Sequence, residues 1–523
     1  MLSKLIHGVA AALSFMAILL ALPASADPIK AESENIVLYG DVAPGHAADL
    51  LQQLEVYRRM IYALSDTEPG GPDAVKLTIY GFDKVRGVQD FAGKDTIAGV
   101  YKASARFPVF LTTLGAGGGT SNQTALHEYS HHVLRGVIKD TLPRWYNEGF
   151  ANYLATLEVG EDRIVMGAPT LSHVRNIDTS KDWHDPKIVL GAIHRYPLFS
   201  QRKSVQSANM AHFYAQSWLY VHMLQNTPEL GSRLPDYLAA LENGVDPIAA
   251  FEQGYGLSVD DFHARAKAYW DTGDFPVIAF EPTEDMLRVD VATTPLTRAQ
   301  LNRAQIDGQR VFLNDANAKA FSKRVRRALK DMPVGPVLAS ARAMTLVQEG
   351  KHQDARELIR AALAEAPNDV DVNRAIGEAQ YHLLQNSERN RARPAGELRT
   401  FETGPDFDSM AQSFAVVLAA DPTDPLATER MVSAFAMSDA PMTGAARTAL
   451  ESFEATNTSG AAWHALDLAV VHHKNGNTRQ ACRYLDYARS GMSAPGSKKM
   501  AWLDAQLTYT QARVGPSCAT VGQ

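Results

Sequence analysis

The sequence predicts an α+β protein in which a small mixed sheet and a helical segment are followed by an all-α region. Three short segments near the N-terminus are rich in β-branched and aromatic residues and predict the sheet. Residues 121–226 show helical patterning with interruptions, and the last third repeats small residues at fixed offsets, which predicts paired helices. A chain of 523 residues is expected to hold two or three domains of about 100 to 200 residues each.

The first 26 residues predict an export signal. Lys4 supplies a basic start, residues 9–22 form an apolar run, and small residues end the segment at Ala26. The run is shorter than the roughly 20 residues that a membrane-spanning helix needs, which argues against the alternative of an uncleaved anchor. We expect cleavage after Ala26, secretion across the inner membrane, and a mature protein that is periplasmic or extracellular without membrane attachment.

Charge and cysteine content restrict the partners and the compartment. The formal net charge is −7 and becomes −8 when Lys4 leaves with the signal, so the composition gives no support to nucleic acid as a partner. The two cysteines, Cys482 and Cys518, both lie near the C-terminus. An oxidising compartment would allow them to form one disulfide, and two free thiols are the alternative, because spacing alone does not establish geometry.

Residues 27–120 are interpreted as an N-terminal αβ part. Residues 36–39 and 75–80 predict two strands that each end at a glycine, and residues 107–114 predict a third. A helix between the first two strands is predicted by one apolar stripe with spacings of three and four residues. The stripe consists of Leu50, Leu54, Tyr57, Ile61 and Leu64. The glycine run at 115–119 lacks the Lys and Ser or Thr of a phosphate-binding loop and is interpreted as a connector.

The rest of the chain divides into three parts. Residues 121–285 form a helical part that holds the chemical motifs, residues 286–335 are either a linker or a part without an assigned element, and residues 336–523 are predicted to form helical repeats. The basic run at 323–327 is interpreted as a solvated helix face rather than a contact patch.

The predicted repeats depend on two sets of residues with the same internal offsets. The first set is Ala343, Gly350, Ala355, Ile359, Ala362 and Pro367, and the second is Ala469, Gly476, Ala481, Leu485 and Ala488. These spacings resemble those of tetratricopeptide repeats, and an irregular all-helical domain is the alternative. Because stacked helix pairs present a concave surface, we expect this region to bind a protein partner.

The strongest chemical motif is His127-Glu128-x-x-His131. Residues four apart share one face of a helix, so the two histidines can present their imidazoles to one cation while Glu128 lies beside them. Neutral imidazole is a good ligand for Zn²⁺, and catalytic zinc sites take three protein ligands and leave a position for water. The motif therefore predicts one zinc ion per chain, with Glu128 as the general base that acts on this water.

A second motif, Trp145-x-Asn-Glu148-Gly-Phe-Ala, predicts the third ligand. A carboxylate from a second helix is an acceptable zinc ligand beside two imidazoles, which assigns Glu148. With both motifs in this order, the sequence resembles the gluzincin metallopeptidases, the group of thermolysin and aminopeptidase N, and specifically their peptidase-MA-like relatives. The resemblance is sharpest over residues 124–157, extends loosely over 36–224 and does not cover the C-terminal region. It implies a zincin-type catalytic domain.

The resemblance also implies a substrate edge and an oxyanion donor. In that family the strand before the first motif helix pairs with an extended substrate, and this strand would be residues 107–114. A tyrosine from a later helix often stabilises the oxyanion that develops during hydrolysis. Tyr214 is our candidate, with Tyr220 and Tyr146 as competitors and a purely packing role as the alternative.

Two further polar residues near the motifs were assigned supporting roles. Asn152 lies one turn beyond Glu148, where it could orient a ligand imidazole by accepting its second N–H. Thermolysin-like members carry an aspartate at this position, so the neutral amide departs from their pattern. His132 points about 100° away from its neighbour His131 on a helix and is interpreted as structural.

The sequence thus predicts an exported zinc metallopeptidase that cleaves peptide or protein substrates with a zinc-activated water. The alternative is an extracytoplasmic scaffold or binding protein that acts through its repeats and carries a metal-bound but weakly active or inactive peptidase domain. Cleavage of a cell-wall polymer is a third alternative, because hydrated zinc also attacks other amides. Glu128 favours the enzyme, since structural zinc needs no general base.

Overall fold

The computed structural model of the chain describes most residues that follow the predicted export signal. The described residues are 27–65, 75–94, 97, 99–102, 107–114, 119–137, 142–160, 162–178, 183–191, 203–243, 245–331, 333–393, 397–456, 462–492 and 501–521. The predicted signal at 1–26 and residues 115–118 of the predicted connector lie outside them.

The N-terminal part mixes strands and helices, which confirms the predicted α+β class. Its first elements are β1 (Pro28–Glu32), β2 (Ile36–Asp41), α1 (Pro44–Ser65), β3 (Leu77–Phe82), α2 (Val85–Ala92), β4 (Val100–Lys102), β5 (Val109–Thr113), α3 (Gly119–Val137), α4 (Arg144–Leu154), β6 (Glu158–Val159), β7 (Ile164–Met166), α5 (Leu171–Asp178) and α6 (Pro186–Leu190). They are followed by α7 (Lys203–Gln225), α8 (Pro228–Gly231), α9 (Leu234–Glu242), α10 (Pro247–Tyr255), α11 (Val259–Asp271), β8 (Ile278–Phe280), α12 (Glu284–Leu287) and β9 (Ala292–Pro295).

The larger of the two sheets has six strands in the order β4-β5-β3-β2-β1-β9. The strands β2, β3 and β5 run parallel to one another. At the two sides of this group, β1 pairs antiparallel with β2, β9 pairs antiparallel with β1, and β4 pairs antiparallel with β5. The predicted strands at 36–39, 75–80 and 107–114 correspond to these three parallel strands. A smaller sheet joins β6, β7 and β8.

The prediction that residues 107–114 form a sheet edge is wrong. Within this segment β5 pairs with β3 on one side and with β4 on the other, where Val100 is opposite Leu111. The edge is therefore β4, a strand of only three residues that precedes the predicted one.

Residues 286–335, for which the sequence assigns either a linker or no element, are built into the fold. β9 adds the sixth strand to the main sheet, and the segment continues into α13 (Arg298–Phe312) and α14 (Ala318–Asp331). The Tyr80 hydroxyl on β3 donates to the Ala304 carbonyl oxygen at 2.7 Å, which fixes α13 to the sheet. Gly308 is required at this contact, because a Cβ there would lie 2.1 Å from the Tyr80 ring.

Helices α1, α3, α4 and α7 form the layer that carries the predicted chemistry. The apolar stripe of α1 faces the core, and its described side chains Leu50, Leu54, Tyr57 and Ile61 are all buried. The Tyr57 hydroxyl hydrogen-bonds the Ser130 hydroxyl and so joins α1 to α3. α3 follows β5, α4 packs on α3, and α7 packs on α4.

The C-terminal region is helical, as predicted. Its elements after α14 are α15 (Pro336–Gln348), α16 (His352–Glu365), α17 (Val370–Gln385), α18 (Glu388–Arg391), α19 (Pro405–Ala420), α20 (Pro425–Ala436), α21 (Gly444–Thr456), α22 (Ala462–Lys474), α23 (Thr478–Met492) and α24 (Ala501–Val521). Neighbouring helices pack in pairs, among them α15 with α16 and α22 with α23.

The two predicted sets of repeat residues lie at equivalent places in these two helix pairs. Gly350 and Gly476 occupy the turns between the paired helices with φ of 77° and 79°, a region that favours glycine. Ala343 and Ala469 are fully buried in the first helix of each pair, which allows close helix packing. The pairs agree with a stacked arrangement, and their assignment as tetratricopeptide repeats stays a prediction.

Three remaining sequence features can be compared with the structure. Cys482 on α23 and Cys518 on α24 form a disulfide, so they are not two free thiols.

In the basic run on α14, Arg324 lies over the Phe91 ring while its neighbours Lys323 and Arg326 are exposed, so the run is only partly a solvated face. Among the described residues, no helix has the length and apolar character needed to span a bilayer.

Candidate metal centre

Two helices bring the three predicted ligands to one point. His127 and His131 lie one turn apart on α3, and α4 supplies Glu148 soon after its start at Arg144. The Oε2 atom of Glu148 is 3.4 Å from Nε2 of His127 and 3.5 Å from Nε2 of His131. Within the described part of the chain, this is the one group of His, Cys, Asp or Glu side chains that is arranged to hold a metal ion.

The distances between the ligand atoms fit a zinc ion. Zinc bonds of about 2.0–2.1 Å in a tetrahedral arrangement separate neighbouring ligand atoms by about 3.3–3.4 Å. Good N–H···O hydrogen bonds are shorter, at about 2.7–3.2 Å. The observed separations match the edge of the tetrahedron better than they match a hydrogen bond, so this donor set is suited to a shared cation.

The ligands are shielded but reachable. Their side chains are 17% exposed for His127, 18% for His131 and 14% for Glu148. Partial exposure of all three leaves a route by which water or a substrate group can approach a metal held by them. Three ligand side chains with partial exposure fit an open metal site better than a closed structural site with four protein ligands.

The electrostatics of the site keep Glu148 ionised. Burial alone would raise its pKa, but the nearby imidazoles of His127 and His131 outweigh burial and hold the pKa well below its usual value. Burial lowers the pKa of His131, but its contact with Glu148 outweighs burial and raises the pKa. The site therefore stabilises positive charge at the point where the ligand atoms meet.

The orienting role predicted for Asn152 belongs to another asparagine. The Asn147 Oδ1 atom lies 2.8 Å from Nδ1 of His131 and can accept its N–H, which leaves Nε2 free to bind a metal. Asn152 instead donates its amide to the Glu148 main-chain oxygen at 2.8 Å and reaches neither imidazole in this way. Asn147 directly precedes Glu148 in the second motif, which is the sequence signal that could have identified it.

Glu128 is held beside the edge strand of the main sheet. Its Oε2 atom accepts a 2.6 Å hydrogen bond from the main-chain N–H of Tyr101 on β4. Its side chain is half-buried, and it is not one of the three grouped ligands. The predicted base is therefore a carboxylate next to the candidate ligands. It lies outside the group that could hold the metal.

Of the three predicted tyrosines, Tyr214 on α7 lies at the ligands. Its ring centroid is 6.1 Å from that of His127. Burial, followed by the charge of Glu148, raises the pKa of Tyr214, so the hydroxyl stays protonated and able to donate. The hydroxyls of Tyr220 and Tyr146 bond instead to glutamines, at Gln216 and Gln225, away from the ligands.

A close contact between helices positions Tyr214. Gly149 on α4 lies against the Ser217 carbonyl on α7, and a Cβ at this position would be only 2.3 Å from that oxygen. The glycine of the second motif therefore allows α7 to approach the helix that carries Glu148. Without this approach the phenol could not face the ligands.

Arg144 is a site residue that sequence reasoning missed. Its Nε lies 3.5 Å from Oε1 of Glu148, the oxygen that does not face the imidazoles. It also hydrogen-bonds Tyr214, which lowers the pKa of that phenol in opposition to burial. The signal was its spacing, since Arg144 is four residues before Glu148 on the same helix and residues so spaced are neighbours.

His132 has the structural role that the sequence analysis gave it. It is buried, its ring stacks on Tyr129, and its Nδ1 lies 3.1 Å from the Tyr101 hydroxyl. These contacts fix α3 to the edge strand on the side away from the ligands.

Comparison with known proteins gives no family assignment. The sequence matches no protein-family model, and a search of curated proteins returned no match. Function is therefore inferred from the chemistry of the site.

The arrangement combines the groups that hydrolysis of an amide requires. Two imidazoles and one carboxylate converge on a point, a second carboxylate lies nearby, and the ring of a protonated tyrosine lies beside His127 on a different helix. Such a set can hold a cation, move one proton and donate one hydrogen bond to a developing negative oxygen.

Proposed function

We propose that the protein is an exported zinc metallopeptidase related to the gluzincins. The observation that carries the proposal is the presence of Glu128 beside a complete three-ligand group. A metal that only stabilises the fold would need no such carboxylate.

Each residue of the site has a role in the proposed reaction. Zinc held by His127, His131 and Glu148 would lower the pKa of a bound water to about 7 and polarise the scissile carbonyl. Glu128 would take a proton from that water and deliver it to the leaving amine. Tyr214 would donate its hydroxyl to the oxygen that becomes negative as the peptide carbon turns tetrahedral.

The free edge of the main sheet supports an extended polypeptide as the substrate. We propose that β4, rather than the predicted segment 107–114, lies beside it, because β4 is the edge of the sheet next to Glu128. Glu128 is bonded to Tyr101 on this strand, so a peptide aligned there would pass the base.

The proposed location is outside the cytoplasm. The disulfide between Cys482 and Cys518 agrees with the predicted export signal, because disulfides persist mainly in oxidising compartments.

The proposal is tested by metal content and hydrolysis measured together on the mature protein. We expect about one zinc per chain by elemental mass spectrometry, and its loss in His127→Ala. Glu128→Gln should keep the zinc and lose about 10²- to 10⁴-fold in kcat on unstructured protein substrates, because only the base is removed.

Two outcomes would count against the proposal. Full activity of Glu128→Gln would remove the assignment of the base. Bound zinc without hydrolysis of any peptide would favour the alternative, a scaffold that acts through its helical C-terminal region.

A further inference from the structure

A cavity of about 700 Å³ lies beside the candidate metal centre. Its described walls come from α1, α3, the segment 155–159 after α4 and the segment 168–170 before α5. The volume falls within the about 300–1,000 Å³ that is usual for ligand pockets. Its described lining includes neither the three ligands nor Glu128, so it is a separate site from the metal.

The cavity is one helical turn from the metal ligands. Gln123 lines it and precedes His127 by four residues on α3, a spacing that puts the two side chains on the same helix face. On another wall, Thr170 donates its main-chain N–H to Nδ1 of His173 at 3.4 Å. The His173 ring stacks on the Trp218 ring with centroids 4.5 Å apart, which ties this wall to α7, the helix that carries the candidate oxyanion donor.

The lining of the cavity has two chemical zones. Val56, Leu126 and Leu157 are buried and give it apolar walls. Asp49 and Glu158 are exposed and give it an acidic rim. Neither carboxylate forms an ion pair with a described residue.

The described lining residues include no Lys, Arg or His that would balance the negative charge of this rim. Two arginines lie next to the lining residue Leu287. Arg288 is paired with Glu284 and Asp285, and the Arg59 guanidinium donates to the main-chain oxygens of Asp285 and Arg288. The rim therefore keeps its negative charge available for a ligand.

We infer that this cavity binds the side chain of a lysine or arginine of the substrate, close to the bond that is cut. The inference rests on the proposed function, because it names the substrate class of the same metal centre. Lys and Arg carry a charged end on an apolar stem, so the stem packs on the apolar walls while the end reaches the rim. An acidic side chain is repelled by the rim, and an apolar one leaves both carboxylates unused.

Binding is measured separately from cleavage. The mature Glu128→Gln protein with zinc is titrated with a dansyl-labelled Gly-Ala decapeptide that contains one Lys, and with matched peptides that contain Leu or Glu there. We expect the Lys peptide to bind roughly tenfold more tightly than the Leu peptide, and the Glu peptide most weakly. Adding Asp49→Asn and Glu158→Gln should abolish the difference between Lys and Leu.

The matched control changes one aspartate and one glutamate outside the cavity. Asp354→Asn with Glu365→Gln alters two exposed carboxylates on α16 and should leave the preference for Lys intact. A preference that is absent, or that survives the change of Asp49 and Glu158, would overturn the inference. Circular dichroism checks that each variant is folded.

The cleavage assay separates the two claims. If the protein with native Glu128 cleaves the Lys and Leu peptides with equal kcat/KM, the cavity assignment fails and the peptidase proposal stands. If the Lys preference in binding is found but no peptide is cleaved, the cavity assignment stands and the peptidase proposal fails.

Discussion

Two buried carboxylates, one in each half of the molecule, have pKa values shifted in opposite directions. Glu148 in the metal centre is held well below its usual value because His127 and His131 surround it, although burial opposes this. Asp467 on α22 is raised well above its usual value by burial, since its neighbours include only neutral donors such as Gln506 and the negative Glu429.

This difference contrasts side chains that a cation could share with polar groups that complete a core. Where α13 meets α17, a buried charge finds its partner in the protein itself. Arg310 is 0% exposed and bonds Glu378, which is 7% exposed, and it also donates to the Ser340 hydroxyl. In the candidate metal centre the side chains converge without completing short bonds to one another, which suits a shared cation.

The largest expected effect concerns the buried ion pair. Glu378→Ala should lower the free energy of unfolding by about 3–5 kcal/mol, because it leaves Arg310 buried without its partner. Denaturant unfolding measures this. Glu349→Ala is the control, since its pair with Arg326 is exposed and should cost less than about 1 kcal/mol. Equal effects of the two changes would contradict a structural role for the buried pair.

A smaller effect distinguishes the two asparagines of the second motif. Asn147→Ala should weaken zinc binding about 10- to 100-fold, because the partner that orients His131 is lost. Asn152→Ala is the matched control and should leave zinc affinity unchanged, since its amide bonds its own helix. Competition with a zinc chelator measures both affinities. A larger loss of zinc affinity in the Asn152 variant would show that Asn152 orients a ligand imidazole, as the sequence predicted.

The smallest expected effect concerns Asp467. Its folded-state pKa is raised, so the unfolded chain releases this proton first as pH rises, and the carboxyl opposes folding increasingly above its unfolded pKa of about 4. Asp467→Asn should therefore stabilise the protein by about 1 kcal/mol at pH 7 and by less at pH 4. Unfolding curves at both pH values measure the sign of the change in the free energy of unfolding. A destabilised variant at pH 7 would show that the folded protein favours the ionised carboxyl of Asp467.

The ligands could be predicted from sequence because helix geometry alone relates them. Spacings of four residues fix His127 and His131 on one face, whatever the surrounding fold is. Asn147 and Arg144 were equally visible in the second motif, but their roles depend on how α4 approaches α3 and on side-chain conformation. Asn152 was misassigned because an asparagine inside a helix can bond the carbonyl four residues before it.

The errors in the sheet have the same kind of cause. β4 has three residues, none fully buried, and so gives no alternating pattern from which an edge strand could be predicted. β9 is exposed along its whole length, and its pairing with β1 follows from tertiary structure alone. By contrast, β3 and β5 are buried on both faces, β2 alternates between buried and half-buried residues, and all three were visible as apolar runs.

The contact at Gly149 fixes the distance between the main chains of α4 and α7. Because the main chain of α4 meets the Ser217 carbonyl of α7 directly, no rotatable side chain lies in the path that links Glu148 to the helix of Tyr214. The separation of the two main chains that carry Glu148 and Tyr214 is thus set by main-chain atoms. A single methyl group added at this position would act as a spacer between these two helices.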